Sequence, residues 1–143
     1  MEEVKVRIEA IVHPTEDEGK VSRAIKNILG DIDLEKAPLE GGLLLKAEVR
    51  GLDSLSHLRK RLERQRIRDA ARALLLRSIE GNRITFGLNR QAAYAGRLSF
   101  STSGESPLGP ITVVIECDDP EALVKWLTRK EERGEGRSRT KRR

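Results

Sequence analysis

The sequence VKVRIEAIV, at residues 4–12, alternates apolar and charged side chains along most of its length. A period of two places successive side chains on opposite faces of a strand, so this segment predicts a β-strand with one buried face. Pro14 ends the strand. Thr15 as N-cap, with Glu18 completing a capping box, then predicts a helix whose apolar stripe runs as far as Gly30.

The rest of the chain continues as alternating strands and helices. Apolar and polar residues alternate again at residues 43–49, which predicts a second strand, and a long helix follows at residues 55–79. Three further strands and a last helix are predicted at residues 84–88, 94–100, 111–115 and 119–127. The order β-α-β-α-β-β-β-α indicates the α+β class, with the helices packed on one face of a single mixed sheet.

Charge divides the chain into two parts. The sequence has 28 Lys and Arg against 23 Asp and Glu, a net charge of +5, and residues 129–143 hold 8 of these cations and 3 of the acids. Residues 1–128 therefore carry no net charge. We predict one folded domain at residues 1–128 and a disordered basic tail at residues 129–143. Cations of this tail would add affinity for nucleic acid, or the tail would only keep the chain in solution. The candidate RNA contacts in the tail are Arg137, Arg139, Lys141, Arg142 and Arg143.

Composition excludes several classes of protein. The single cysteine, Cys117, excludes a disulfide framework and a cysteine-built zinc site. No apolar run is long enough for a membrane span or a signal-peptide core, so we expect a cytoplasmic protein. The sequence is rich in Arg and poor in Asn, Gln, Cys and Met, which is typical of proteins from thermophiles.

The predicted long helix carries an excess of positive charge. Residues 54–79 contain eight basic residues and two acids, and an exposed helix normally alternates the two signs. Phosphates of a nucleic acid would relieve the repulsion between these cations. The other interpretation is that acids from another element or subunit face them. The candidate RNA contacts on this helix are Lys60, Arg61, Arg64, Arg68 and Arg72.

Polar residues also lie close to the predicted core stripe of the same helix. Gln65, Arg66 and Asp69 project near Leu58 and Leu62 on a helical projection. A half-buried Asp69 would need a partner, and Arg66 or Arg72 could supply it as an ion pair against the sheet. The alternative is that Gln65, Arg66 and Asp69 line an open pocket.

The outward face of the predicted third and fourth strands is rich in hydrogen-bond donors. The candidate RNA contacts there are Arg83, Arg90 and Arg97, with Thr85, Asn89, Gln91, Ser99 and Ser101 beside them. Such donors suit phosphate and ribose. This predicted face lacks exposed aromatic residues for base stacking, so we expect recognition of the RNA backbone or shape.

Signals for catalysis are weak. His13 and His57 are far apart in the sequence and belong to no cluster with metal-ligand spacing. Cys117 precedes Asp118 and Asp119, whose carboxylates raise the pKa of a thiol and so oppose its use as a nucleophile. We therefore predict no enzyme, no bound metal and no cofactor.

Several blocks together resemble a known family. They are HPTEDE at residues 13–18, RQRIRDAAR at 64–72, ITFGLNRQAAY at 84–94, SPLGP at 106–110 and WL at 126–127. This pattern resembles a small archaeal family of the uncharacterised (UPF) type, grouped with predicted RNA-binding and exosome-associated proteins. The resemblance covers about residues 4–127 and implies a fold similar to the large-subunit ribosomal protein that binds 5S RNA. It implies RNA binding and supplies no catalytic residues to transfer to this chain.

Together these observations favour a noncatalytic RNA-binding protein that contacts the phosphate backbone through arginines, with low sequence specificity. The alternative is a protein-interaction or assembly domain, such as a homodimer, whose basic long helix meets acidic partners. A third, weaker hypothesis is an enzyme built around Gln65, Arg66 and Asp69.

Overall fold

A computed structural model describes residues 3–101 and 109–129. The helices are Glu18–Leu29 (α1), Ser56–Arg64 (α2), Arg68–Arg77 (α3), Arg90–Tyr94 (α4) and Pro120–Leu127 (α5), with a 3-10 turn at Leu52–Leu55. The strands are Lys5–Val12 (β1), Glu35–Leu39 (β2), Gly42–Arg50 (β3), Ile79–Glu80 (β4), Arg83–Leu88 (β5) and Ile111–Glu116 (β6). All of the predicted tail except Arg129 lies outside the described residues.

The strands form one six-stranded sheet in the order β2-β3-β1-β6-β5-β4. Every neighbouring pair is antiparallel, so the α+β class is confirmed, whereas the sheet is antiparallel rather than mixed. β1 lies inside the sheet between β3 and β6. The alternation at residues 4–12 thus produces one buried face and one face that is open to solvent.

The core lies between the sheet and the helices. Val6, Ile8 and Ile115 point inward from the strands and are at most 1% exposed. Ile25 of α1 and Leu62 of α2 are fully buried in the same cluster. Because the charged residues that alternate with Val6 and Ile8 face the other way, the helical layer and the open sheet face present different chemistry to solvent.

The start of α1 differs from the prediction. Asp17, not Thr15, is the N-cap, and its carboxylate accepts a hydrogen bond from the Gly19 backbone N–H at 2.9 Å. Glu16 instead accepts from the His13 backbone N–H at 3.0 Å, which closes the turn before the helix. Three consecutive acids satisfy the cap pattern in more than one register, and the sequence alone does not choose between them.

The prediction of one long helix at residues 55–79 is wrong, because the helix is interrupted between α2 and α3. The Ile67 N–H donates to the Leu62 carbonyl and the Arg66 N–H donates to the Glu63 carbonyl, the two bonds that define a Schellman motif. Arg66 takes the left-handed position with φ 59°. Glycine usually marks this position, so the break carries no sequence signal here.

Replacing Arg66 with Gly is expected to raise the free energy of unfolding by about 1 kcal/mol, because an L-residue in the left-handed region is strained and glycine is not. Arg66→Ala keeps this strain and serves as the control. Urea denaturation of the full chain measures both variants. Equal stability of the Gly and Ala variants would contradict strain at this position.

The predicted fourth strand at residues 94–100 is also wrong. Asn89 caps α4 by accepting a hydrogen bond from the Ala92 N–H at 2.9 Å, and Gly96 leaves the helix with φ 86°. Only an isolated bridge between Leu88 and Phe100 remains of the expected pairing. The alternating pattern predicts a strand, but the Asn89 cap and the helix-favouring residues Ala92 and Ala93 stabilise one turn of helix there instead.

Two strands were missed: the two-residue β4, whose first residue was predicted as the end of the long helix, and the longer β2. The segment Glu35–Leu39 pairs with β3 at the edge of the sheet, although its sequence EKAPL has no β-branched or aromatic residue. Gly41, with φ 78°, supplies the turn between the two strands. Pairing to the longer β3 therefore determines this strand, rather than its own propensity.

Candidate nucleic-acid interface

The open sheet face is balanced in charge. Arg7 lies opposite Glu48 and Glu9 opposite Lys46 in the register of β1 and β3. At the end of the sheet, the Nη2 atom of Arg83 lies 2.9 Å from Glu116. This hydrogen bond, with Lys5 nearby, holds the pKa of the Glu116 carboxyl below its ordinary value. Lys5, Arg50 and Arg83 form ion pairs with Glu116 or Glu48 and so offer little to a phosphate, whereas Arg7 and Lys46 only lie opposite carboxylates in the strand register.

The donors predicted on the third and fourth strands do not share one face. Arg83 belongs to the charged row of the open sheet, whereas Arg97 is exposed in the irregular segment after α4. Asn89 caps α4 and Gln91 is exposed on that helix. The predicted donor surface therefore separates into two places.

Arg90 is buried and holds the fold together. Its side chain is only 5% exposed. One nitrogen, Nη1, donates to the Ile11 carbonyl at 2.8 Å and to both carboxylate oxygens of Glu16 at 2.9 Å. Its Nε donates to the Gly109 carbonyl at 3.0 Å. The guanidinium thus joins β1, the start of α1 and the segment before β6, and it is not available as a surface contact.

Several arginines of α2 and α3 are also engaged within the chain. Arg59 donates to the Trp126 carbonyl at 3.1 Å, and Arg72 donates to the Thr128 hydroxyl at 2.9 Å, so both bind the C-terminal end of α5. Arg68 pairs with Glu63 across the helix break at 3.9 Å. The carbonyl groups at a helix C-terminus attract cations. Arg59 and Arg72 therefore need no acidic side chain as a partner.

The helix break separates the members of the polar group Gln65, Arg66 and Asp69. Gln65 donates to the Leu98 carbonyl at 3.1 Å and accepts from the Leu98 N–H at 2.7 Å. Asp69 is exposed in the first turn of α3. It forms no ion pair with Arg66 or Arg72 among the described residues. The predicted ion pair is wrong because the helix break rotates Asp69 away from the core stripe.

A polar seam joins α1, α2 and the segment after α4. His57, Arg61 and Gln65 follow one another at four-residue spacing along α2. His57 Nε2 lies 3.1 Å from the Asn27 carbonyl, and Arg61 donates to the Gly96 carbonyl. Asn27 in turn donates to the Ala93 carbonyl at 2.9 Å. These contacts fix residues 93–98 against both helices.

Exposed cations surround this seam. We call them the cationic band: Lys20 and Arg23 on α1, Lys60 and Arg64 on α2, and Arg97 after α4. Within residues 3–101 and 109–129, none of the five forms an ion pair with a carboxylate. Lys20 and Arg23 were not predicted, because the sequence does not show that α1 packs beside α4 and α2.

His57 reports the positive potential of this surface. Burial lowers the pKa of the His57 imidazole most, and the charges of Arg61, Arg64 and Lys60 lower it further. The hydrogen bond to the Asn27 carbonyl opposes this shift. A site where cations disfavour a further proton is a site that attracts anions.

Tyr94 is the exposed aromatic residue of the same surface. Its side chain is 38% exposed at the end of α4. Lys20 Nζ lies 5.5 Å from the ring centroid and Arg23 Cζ lies 5.9 Å from it. The sequence pattern placed Tyr94 on a strand, so its position beside two cations was missed.

No geometry for metal or thiol chemistry occurs in the described part of the chain. No group of three metal-ligating side chains is found there. Burial raises the pKa of the Cys117 thiol, and Asp118 and Asp119 add to this shift, in the predicted direction. Among the described helices, none has the length and apolar character that crossing a bilayer requires.

Known proteins resemble the chain in sequence and in fold. UPF0201 protein from Sulfurisphaera tokodaii is 46% identical over 131 residues, which cover 91% of this chain and 90% of the relative. UPF0201 protein from Sulfolobus acidocaldarius is 48% identical over 132 residues, which again cover 91% of this chain and 90% of the relative. The crystal structure of UPF0201 protein from Methanococcus jannaschii has a TM-score of 0.79 at 33% identity, covering 87% of this chain and 98% of that one.

These relatives carry no enzymatic name, and the archaeal relatives include thermophiles. A family model described as RNA binding matches residues 5–117. The chain therefore belongs to this archaeal RNA-binding family, as its sequence blocks predict.

Proposed function

We propose that the chain is a noncatalytic RNA-binding protein that holds RNA phosphates against the cationic band. The observation that carries the proposal is the contrast between two surfaces. The cations of the band are exposed, and none of them forms an ion pair among the described residues, whereas Lys5, Arg50 and Arg83 of the open sheet face pair with Glu116 or Glu48. Unpaired cations gain most from phosphates, because no internal ion pair must be broken first.

Three elements place these cations. The polar seam fixes α1, α2 and residues 93–98 against one another. Cations carried by packed helices bind the RNA backbone with less loss of main-chain freedom than cations on a free segment. Of the cations predicted from the long helix, Lys60 and Arg64 retain the proposed role, and Arg97 joins them.

Low sequence specificity follows from this mode of binding. Phosphate contacts fix position but carry no sequence information directly. Cations of the predicted tail, Arg137 to Arg143, would add further phosphate contacts to those of the band. The description of the family model as RNA binding supports RNA as the partner.

A salt series with the full chain and a single-stranded RNA tests the proposal. Five phosphate contacts predict that affinity falls at least about 500-fold between about 50 and about 300 mM salt. Light scattering on the same samples measures the oligomeric state. Equal affinity at both salt concentrations would contradict phosphate binding. A stable dimer that binds no RNA would favour the assembly alternative.

A further inference from the structure

We propose that Tyr94 and the cavity beside it hold one unpaired nucleobase of the bound RNA. This inference rests on the proposed function and adds to it a contact with a base, where the cationic band contacts phosphates. A cavity of about 250 Å³ opens beside the ring and extends between α1 and α4. Tyr94 lines it together with Val21 and Ala24, which supply apolar surface.

The backbone that carries the ring is held in place. Asn27 Nδ2 donates to the Ala93 carbonyl at 2.9 Å and to the Tyr94 carbonyl at 3.3 Å. α4 is therefore anchored to α1 at the residue that carries the ring. A nucleobase stacks on an aromatic ring at lower cost when the backbone that carries the ring is already fixed, since less conformational freedom is lost on binding.

Cations next to the ring suit a nucleotide rather than an apolar ligand. Lys20 and Arg23 contact the ring of Tyr94 and carry no ion pair within the described residues. Both side chains are long and exposed, so they can reach phosphates on either side of a stacked base. Arg97, three residues beyond Tyr94, continues the charge toward α2.

The cavity lining also includes polar side chains. Arg90 and Glu16, which pair with each other, line it together with the apolar residues. Gln91, exposed at the same cavity, supplies an amide that can donate to or accept from a base edge.

Stacking on Tyr94 requires a base that is free of pairing. The edges and faces of bases in an RNA duplex are covered by pairing and stacking, whereas loops, bulges and single strands expose them. The ligand is therefore a single-stranded or looped RNA whose phosphates follow the cationic band while one base enters the cavity.

The test compares Tyr94→Ala with Tyr94→Phe in the full chain, using a single-stranded RNA and a duplex RNA of equal length. Removing the ring is expected to weaken single-strand binding about tenfold, with little change for the duplex. Tyr94→Phe keeps the ring and is expected to bind within about twofold of wild type. Ile11→Ala, at an equally exposed apolar residue on the open sheet face, is the matched control.

A 2-aminopurine in the single strand provides a second readout. Its fluorescence is expected to be quenched on binding to wild type and Tyr94→Phe, but not to Tyr94→Ala. The stacking site would be overturned if Tyr94→Ala bound the single strand as tightly as wild type, or if it lost the same affinity for both RNAs. In either case, the salt dependence would still support phosphate binding. Failure of wild type to bind either RNA would overturn the proposed function as well.

Discussion

Replacing Arg90 with Met is expected to lower the free energy of unfolding by about 3–5 kcal/mol. The substitution removes the only charge partner of Glu16 among the described residues, in a pair whose side chains are 5% and 14% exposed. It also leaves the Ile11 and Gly109 carbonyls without the donor that they share. A largely buried carboxylate without its cation costs more than an exposed one, because fewer water molecules can replace the lost contact.

Urea denaturation of the full chain measures this loss. Arg50→Met is the matched control, since Arg50 pairs with Glu48 at 3.1 Å where the side chains are 70% and 43% exposed. The control is expected to change stability by less than about 1 kcal/mol. If Arg90→Met destabilised the protein no more than Arg50→Met, the assignment of Arg90 as a residue that stabilises the fold would be contradicted.

Replacing Lys60 and Arg64 together with Gln is expected to weaken RNA binding about 25- to 60-fold at about 0.1 M salt, because each lost phosphate contact releases about one fewer counterion. The slope of log affinity against log salt concentration should become less steep by the amount that about two phosphate contacts contribute. Both side chains are exposed and unpaired within the described residues, so the fold itself should be unaffected.

The matched control removes the same two charges from the open sheet face, as Arg7→Gln with Lys46→Gln. Arg7 lies opposite Glu48 and Lys46 lies opposite Glu9 in the strand register. We expect this control to bind RNA within about threefold of wild type, because only the long-range attraction of the protein's net charge for RNA is reduced. If both double variants lost affinity equally, net charge rather than the cationic band would govern binding.

Sequence periodicity predicted most of the sheet and the helical layer. The alternation in β1 and β3 set their buried faces, and the stripe in α1 set its packing, because these patterns depend on local geometry. The α+β class followed from their order. The errors arose where a longer-range or unusual contact decided the structure. Arg66 in a left-handed position broke the long helix, and pairing to β3 made β2 a strand.

The candidate site was harder to predict. Arg61, Arg68, Arg72 and Arg90 have the same side-chain chemistry as Arg64, and only the fold shows which of them bind carbonyls or carboxylates inside the chain. Sequence separation hides such partners, since Arg90 reaches residues 74 and 79 positions away. Excess charge on a segment therefore predicted a binding surface but could not say which cations lack a partner inside the chain.

The most direct measurement follows the backbone amide resonances of the full chain as a short single-stranded RNA is added. Binding at the cationic band predicts that the largest shifts occur in α1, in α2 and at residues 93–98, with small shifts at the open-face residues Arg7, Glu9 and Lys46. The largest shifts at those three positions of β1 and β3, with α1 and α2 unchanged, would contradict the helical layer as the RNA-binding surface.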